Sequence, residues 1–312
     1  MTRKITLSLC LLTIIAGTLF AGDRNDFTFC LSEGNRFYAE GSYRTALKWY
    51  EAAVAQNPDS FEALMCRGLA WNKLGDNRQA LNDLNKAASL ASENAAVFNN
   101  RGNVFMTMGL ADQALADFNR ALNLKPDYEE ALFNRGRLYR LTGMYDEALK
   151  DLDLLIKRAP GAWLGFYERG MVHLARGLAP LALSDFSRCQ TLNGNYAEVY
   201  LARGQTYLML EQYTRAIDDL NRYLAAVPGS AEAIMYRAVA WNFAGYPDKA
   251  LADFNEALSI HPDDPLLLYG RGDLHLSQNR FGEAAEDFRK VVKLRPDWQS
   301  AADKLARAEA AL

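Results

Sequence analysis

Seven arginines are each followed sixteen residues later by an aspartate: Arg67 and Asp83, Arg101 and Asp117, Arg135 and Asp151, Arg169 and Asp185, Arg203 and Asp219, Arg237 and Asp253, Arg271 and Asp287. A guanidinium is a planar fork of N–H donors and a carboxylate offers two acceptors, so the chemistry these types suit is bidentate ion pairing. One stretch upstream, in the same register, both members are missing and Glu33 and Trp49 stand in their places. Joint presence and joint absence point to pairing within each stretch. Pairing with the preceding stretch fits worse, because Arg67 would then face Trp49. The alternative is two unrelated surface charges. As pairs, they fix geometry more than they add stability.

Other reactive residues do not assemble into a reaction. The three histidines are His173, His261 and His275. The first and third fall in a column of aromatic residues, and His261 falls in a turn, so packing or exposure accounts for them better than metal ligation. No G-x-S-x-G, P-loop, Gly-rich dinucleotide fingerprint or H-E-x-x-H occurs. Asp263-Asp264 ahead of Pro265 is turn composition. The chain therefore reads as non-catalytic, with no cofactor and no metal. Its 4 cysteines lack paired spacing, which excludes a disulfide scaffold or zinc ribbon. Leu9 before Cys10 and Phe29 before Cys30 depart from a lipidation motif, which wants a small residue there. Cys30, Cys66 and Cys189 read as small buried hydrophobes.

The arginines mark a ruler. Arg-Gly recurs at Arg67-Gly68, Arg101-Gly102, Arg135-Gly136, Arg169-Gly170, Arg203-Gly204 and Arg271-Gly272, with Arg237-Ala238 filling the gap, and every step is 34 residues. An unbroken alanine column runs through Ala46, Ala80, Ala114, Ala148, Ala182, Ala216, Ala250 and Ala284. An aromatic residue or leucine follows each alanine four residues on, as at Tyr50, Phe118 and Leu152. Pro58, Pro126, Pro160, Pro228, Pro262 and Pro296 close six of the eight units that run over 27–298. Apolar residues at helical spacing on both sides of a mid-unit glycine predict two helices per unit. Small residues let the two helices approach, and proline stops the second. One such pair cannot bury its own apolar face, whereas stacked neighbours can.

Each unit resembles a tetratricopeptide repeat. Residues 129–162 carry the resemblance clearly, with Leu132, Gly136, Tyr139, Gly143, Tyr145, Ala148, Leu152 and Pro160 at the family's places. Departures are Ala238 for glycine, His173 and His275 for tyrosine, and Glu211 and Asn279 for the turn glycine. The resemblance implies an all-α solenoid of eight helix-turn-helix repeats wound as a right-handed superhelix. Residues 299–312 read as a C-terminal capping helix in which Ala301, Leu305 and Ala308 cover the last repeat.

The resemblance also implies a ligand face. Family contacts come from the second, fifth, sixth, ninth and twelfth places of each unit, on the first helix, which lines the concave side. Here those places hold Asn99, Asn100, Asn103, Asn134, Arg137 and Arg140 in units three and four. Such amides and guanidinia suit a peptide backbone or carboxylate. Units five to eight hold Tyr167, Met171, Leu201, Leu208, Met235, Tyr236 and Tyr269, an aromatic and apolar stretch of the kind that anchors partners. The alternative is that part of this face packs against neighbouring helices. The family's chaperone-tail carboxylate clamp is not expected. Asn103 and Asn134 match it, but Asn99 stands at the lysine place and Leu164 and Glu168 stand at the third-unit places.

Composition agrees. The chain has 312 residues with a net charge of −3, which lacks the basic footprint of a nucleic-acid binder. Valine and isoleucine total 16 of 312, too few for a strand-rich fold. Residues 1–22 have the layout of a secretory signal peptide: Arg3 and Lys4, an uncharged run from Ile5 to Phe20, then Ala21 and Gly22. Leu19 makes the cleavage site imperfect, so retention as a membrane anchor is the alternative. The expected protein is an exported scaffold, periplasmic or secreted, holding a protein or peptide partner in its groove. A small hydrophobic ligand- or lipid-binding component, or an accessory subunit of a membrane complex, are the other readings.

Overall fold

A computed structural model describes residues 26–312, and the proposed export segment lies outside them. The described chain forms seventeen α-helices and no strand. They are α1 (Phe27–Ala39), α2 (Tyr43–Gln56), α3 (Phe61–Lys73), α4 (Asn77–Leu90), α5 (Ala95–Thr107), α6 (Ala111–Leu124), α7 (Glu129–Leu141), α8 (Tyr145–Arg158) and α9 (Trp163–Ala175), followed by α10 (Ala179–Leu192), α11 (Ala197–Met209), α12 (Tyr213–Ala226), α13 (Ala231–Phe243), α14 (Pro247–Ile260), α15 (Pro265–Ser277), α16 (Phe281–Leu294) and α17 (Gln299–Glu309). None is long and apolar enough to cross a membrane.

Local sequence sets the helix ends. Ser60, Asp76, Asn94, Ser230 and Asp264 each accept a hydrogen bond from a backbone N–H in the first turn of the helix that follows. Helix α7 ends in a Schellman turn. The Gly143 N–H donates to the Arg140 carbonyl at 3.1 Å, and the Met144 N–H donates to the Tyr139 carbonyl at 2.8 Å. Gly143 supplies the positive φ of 78° this turn needs. Glu211 and Asn279 take the same left-handed conformation at φ 57° and 60°, so the turn survives the loss of glycine at a cost in local strain.

Helix α8 shows how burial follows spacing. Ala148, Asp151, Leu152 and Leu155 are its buried residues, one turn apart on one face. The alanine column is sealed: Ala114, Ala148, Ala182, Ala216 and Ala250 are all 0% exposed. Small residues at the eighth place let the paired helix come close. A Cβ added at Gly102 would lie 2.8 Å from Phe118 Cε1. Deleting such a fully buried aromatic costs ~3–5 kcal/mol.

The chain divides into two compact bodies, the first ending at Glu168 and the second beginning at Arg169. In the first, Leu64, Leu84, Val97 and Val104 belong to one buried cluster. In the second, Leu220, Ile234, Phe254 and Leu268 belong to another. Helix α17 packs on α16, with Ala301 and Ala308 fully buried and Leu305 against Phe288's cluster.

Candidate partner-binding face

The odd-numbered helices lie on the crowded side of each body. Helix α1 touches α3, α3 touches α5 and α5 touches α7 in the first, while α11 touches α13 and α13 touches α15 in the second. The even-numbered helices of the described residues make no comparable contact with one another. Helices that also meet their second neighbours line the shorter, inner side of a curved stack, so the odd-numbered helices form the inner face within each body.

The Arg–Asp pairs form behind this face. In all seven, the arginine Nε and Nη2 donate to the two carboxylate oxygens of the aspartate sixteen residues on, at 2.5–2.9 Å. Every one of these aspartates is buried. The hydrogen bonds that Arg101 donates to Asp117 are the main cause that pushes its guanidinium above its usual value, so it stays charged. A third contact, not anticipated from the sequence, runs the other way. Nη1 of Arg101, Arg135, Arg237 and Arg271 donates to the side-chain oxygen of Asn85, Asn119, Asn221 and Asn255, sixteen residues earlier, at 2.7–3.0 Å. Each of these arginines therefore ties its own helix pair to the second helix of the preceding unit. The signal was present as two 34-residue steps, Asn85 to Asn119 and Asn221 to Asn255.

The polar stretch of the inner face is partly taken up by its own contacts. Asn99 and Asn134 are buried, and the Asn134 side-chain amide donates to Asn99 Oδ1 at 2.9 Å. Their expected role as exposed donors needs correction: adjacent first helices pack so closely there that the two amides satisfy each other. Arg140 is likewise engaged, its Nε donating to Glu168 Oε2 at 2.6 Å. Glu168 is buried and lies 3.5 Å from Arg137 Nε as well. Arg137 keeps an exposed side chain, and Asn100 and Asn103 are half-buried. These three carry the polar character that remains accessible.

The apolar stretch divides in the same way. Tyr167 and Met171 are half-buried on α9. Leu201, Leu208, Met235 and Tyr236 are half-buried and rest on the core of the second body with part of each side chain outward. Burial, reinforced by the Glu232 carboxylate, pushes the Tyr236 phenol above its ordinary value, and a hydrogen bond with Gln205 partly opposes this. Gln205 Nε2 also donates to Glu232 Oε1 at 3.2 Å, so α11 and α13 are joined by a polar link beside Tyr236. Tyr269 needs correction as a partner anchor. Its ring stacks on Trp298 at 4.6 Å and 12°, meets Phe288 edge-on and lies under the Lys304 ammonium, and its hydroxyl is 2.9 Å from Ser300 Oγ. It belongs to the seam that seats α17.

His275 and the cysteines behave as packing groups, while His261 is exposed at the end of α14 and His173 Nε2 lies 3.7 Å from Asp185. His275 is buried and its Nδ1 has no hydrogen-bond partner. Cys30, Cys66 and Cys189 are all buried thiols, and burial pushes Cys189 up to about 12. No group of three His, Cys, Asp or Glu among the described residues could hold a metal ion.

Comparison with known proteins agrees with this architecture. Models of the tetratricopeptide repeat match residues 34–75, 73–129, 99–162, 167–231, 201–265 and 243–301. Tetratricopeptide repeat protein 6 of Homo sapiens is 28% identical over 98 residues, which is 31% of this chain and 19% of that protein. The chain thus spans about a fifth of the length of this curated relative. Among solved structures, a chain of the APC/C hetero-tetramer Cut9–Hcn1 superposes with a TM-score of 0.68 at 16% identity, covering 93% of this chain and 57% of that one. YrrB, described as a TPR protein with an unusual peptide-binding site, superposes with a TM-score of 0.52 at 25% identity, covering 60% of this chain and 97% of YrrB. With the 34-residue period, the paired helices and these matches in agreement, the chain belongs to the tetratricopeptide repeat family.

Proposed function

We propose that this protein is an exported, non-catalytic scaffold that binds a peptide or protein segment along the inner face of its odd-numbered helices. The observation that carries this reading is the row Leu201, Leu208, Met235 and Tyr236. These large side chains stay half-exposed on the contacting helices α11 and α13, all resting on the same core cluster, which is already sealed beneath them. Such a row suits partly desolvated anchors of a bound segment. The peptide-binding site named for YrrB supports the same reading. Export rests on the layout of residues 1–22, with Arg3 and Lys4 ahead of an uncharged run. An extended partner suits this open row, and two open clefts among the described residues lie away from it at mid-repeat turns, around Tyr43 and Tyr213.

The test is site-specific photo-crosslinking in cells that export the protein. A photoreactive phenylalanine analogue at Met235 should capture a partner, and the same group at Asp218 on α12 should not. Capture from Asp218 alone would move the site to the outer helices. Sequencing the mature N-terminus decides whether residues 1–22 are removed.

A further inference from the structure

Helices α11 and α13 contain no lysine or histidine, and each has a single arginine. Those arginines, Arg203 and Arg237, are both held behind the face by Asp219 and Asp253. What remains charged on these two helices is acidic. Glu198 and Glu232 are exposed, stand at the same place of successive repeats, and neither pairs with a cation among the described residues. Glu232 accepts a hydrogen bond from Gln205, which also bonds Tyr236, so its carboxylate lies on the side of the anchoring row. Its repeat equivalence puts Glu198 one helix earlier on that side.

From this we infer that the segment held by α11 and α13 is cationic and apolar, with two Lys or Arg residues flanking or interleaving its hydrophobic side chains. The inference rests on the inner-face reading proposed above and names the chemistry of its occupant. Charge complementarity commits it. An acidic segment would meet two unneutralised carboxylates with no counter-charge, whereas a basic one neutralises both while its apolar residues cover Leu201, Met235 and Tyr236. Spacing follows from the helices. Contacting helices lie ~10 Å apart, and an extended segment advances ~3.3 Å per residue, so the two cations fall about three residues apart.

Three fluorescein-labelled nine-residue peptides test this. They share Leu, Phe and Ser and differ at the third and sixth residues, which are Lys, Gln or Glu. By anisotropy the Lys peptide should bind at least tenfold more tightly than the Gln peptide, and the Glu peptide weakest. That advantage should shrink in 0.5 M NaCl, because exposed charges are screened within ~3–5 Å there. The Glu198→Gln/Glu232→Gln double variant should abolish it. A charge-matched control, Asp218→Asn/Glu286→Gln on α12 and α16, should retain it, which separates a local site from general attraction to an acidic protein. Equal binding of Lys and Gln peptides, both weakened by Tyr236→Ala, would overturn the cationic occupant and leave the inner face standing. Equal loss of the Lys preference in the control variant would also overturn it. If no peptide binds, or Tyr236→Ala changes nothing, the inner-face reading falls and this inference with it.

Discussion

Arg135 Nη1 donates to Asn119 Oδ1 at 2.7 Å, across the boundary between two repeats. The rest of the same fork, Nε and Nη2, holds Asp151 at 2.7 Å within its own repeat. One side chain thus serves both the stability of a helix pair and its coupling to the preceding pair. Those are the two quantities that govern a stacked array, where each repeat contacts only its neighbours.

Arg135→Met should therefore destabilise strongly, by about 3–5 kcal/mol, because it leaves Asp151 buried and unpaired. Asn119→Ala removes a single half-buried hydrogen bond and should cost about 1 kcal/mol. The double variant Arg135→Met/Asp151→Leu should recover most of the first loss, since no buried charge is left over. Urea denaturation of the three variants checks the order. Equal effects from Arg135→Met and Asn119→Ala would show that the pair with Asp151 contributes little.

Glu211 occupies the left-handed turn position that Gly245 fills one repeat later, at φ 57° against 85°. A side chain there costs ~1 kcal/mol relative to glycine, and Glu211→Gly relieves it while returning some entropy to the unfolded chain. The net expectation is stabilisation of about 0.5 kcal/mol. Gly245→Ala should destabilise by about 1 kcal/mol. A thermal midpoint that falls for Glu211→Gly would mean that the glutamate makes a compensating contact.

The architecture was legible because it is periodic. Arg, Ala and Pro columns fix helix pairing, and the joint absence of Arg and Asp in the first repeat located the pairing within repeats. The face was less legible, because a ligand place on one helix becomes a packing place once a neighbour closes on it. Asn99 and Asn134 sit at different places in their repeats, fifth and sixth, yet meet across the boundary. Tyr269 is decided by Trp298, a residue in the turn ahead of the non-repeating tail helix. The Asn85 and Asn119 steps were visible but interrupted at Asp153 and Ser187, so their column did not stand out.

His275 adds a pH dependence. Burial lowers the ring's proton affinity below the usual histidine value. Asp287 and Glu283 pull the other way, and Arg271 and Arg280 act with burial. The folded state thus binds the proton less readily than the unfolded state. Its contribution is intact above the unfolded value of ~6.5 and is lost as pH falls from there toward the lower folded value. The slope is at most ~1.4 kcal/mol per pH unit from one site. His275→Phe keeps an aromatic in the column, removes the unpartnered Nδ1 and should flatten the profile between pH 6.5 and 5. Urea midpoints for both proteins at pH 7.5 and pH 5.5 measure the difference. A parallel shift of both would assign the acid loss to other groups.

Tyr236 and Tyr269 stand 33 residues apart on the same set of helices, yet they should respond to truncation in opposite ways. Tyr269 is stacked on Trp298 and bonded to Ser300, so Tyr269→Ala unseats α17. Its loss should cost about 2 kcal/mol of stability, less than for a fully buried aromatic because the ring is half-buried, and only secondarily reduce binding. Tyr236 rests on the core with part of its ring outward beside Met235, and its main polar tie is to Gln205. Tyr236→Ala should weaken capture of a bound segment by about 2 kcal/mol, the scale of an interface anchor, with a smaller thermal shift than Tyr269→Ala. Asn103→Ala, at a half-buried amide in the first body, should change binding by less than either. Affinity for the partner identified by crosslinking, measured beside the thermal midpoint of each variant, separates the three. If Tyr236→Ala lowers the midpoint as far as Tyr269→Ala and leaves affinity unchanged in the folded fraction, Tyr236 is a packing residue. The anchor of the inner face would then be sought at Met171 and Leu208.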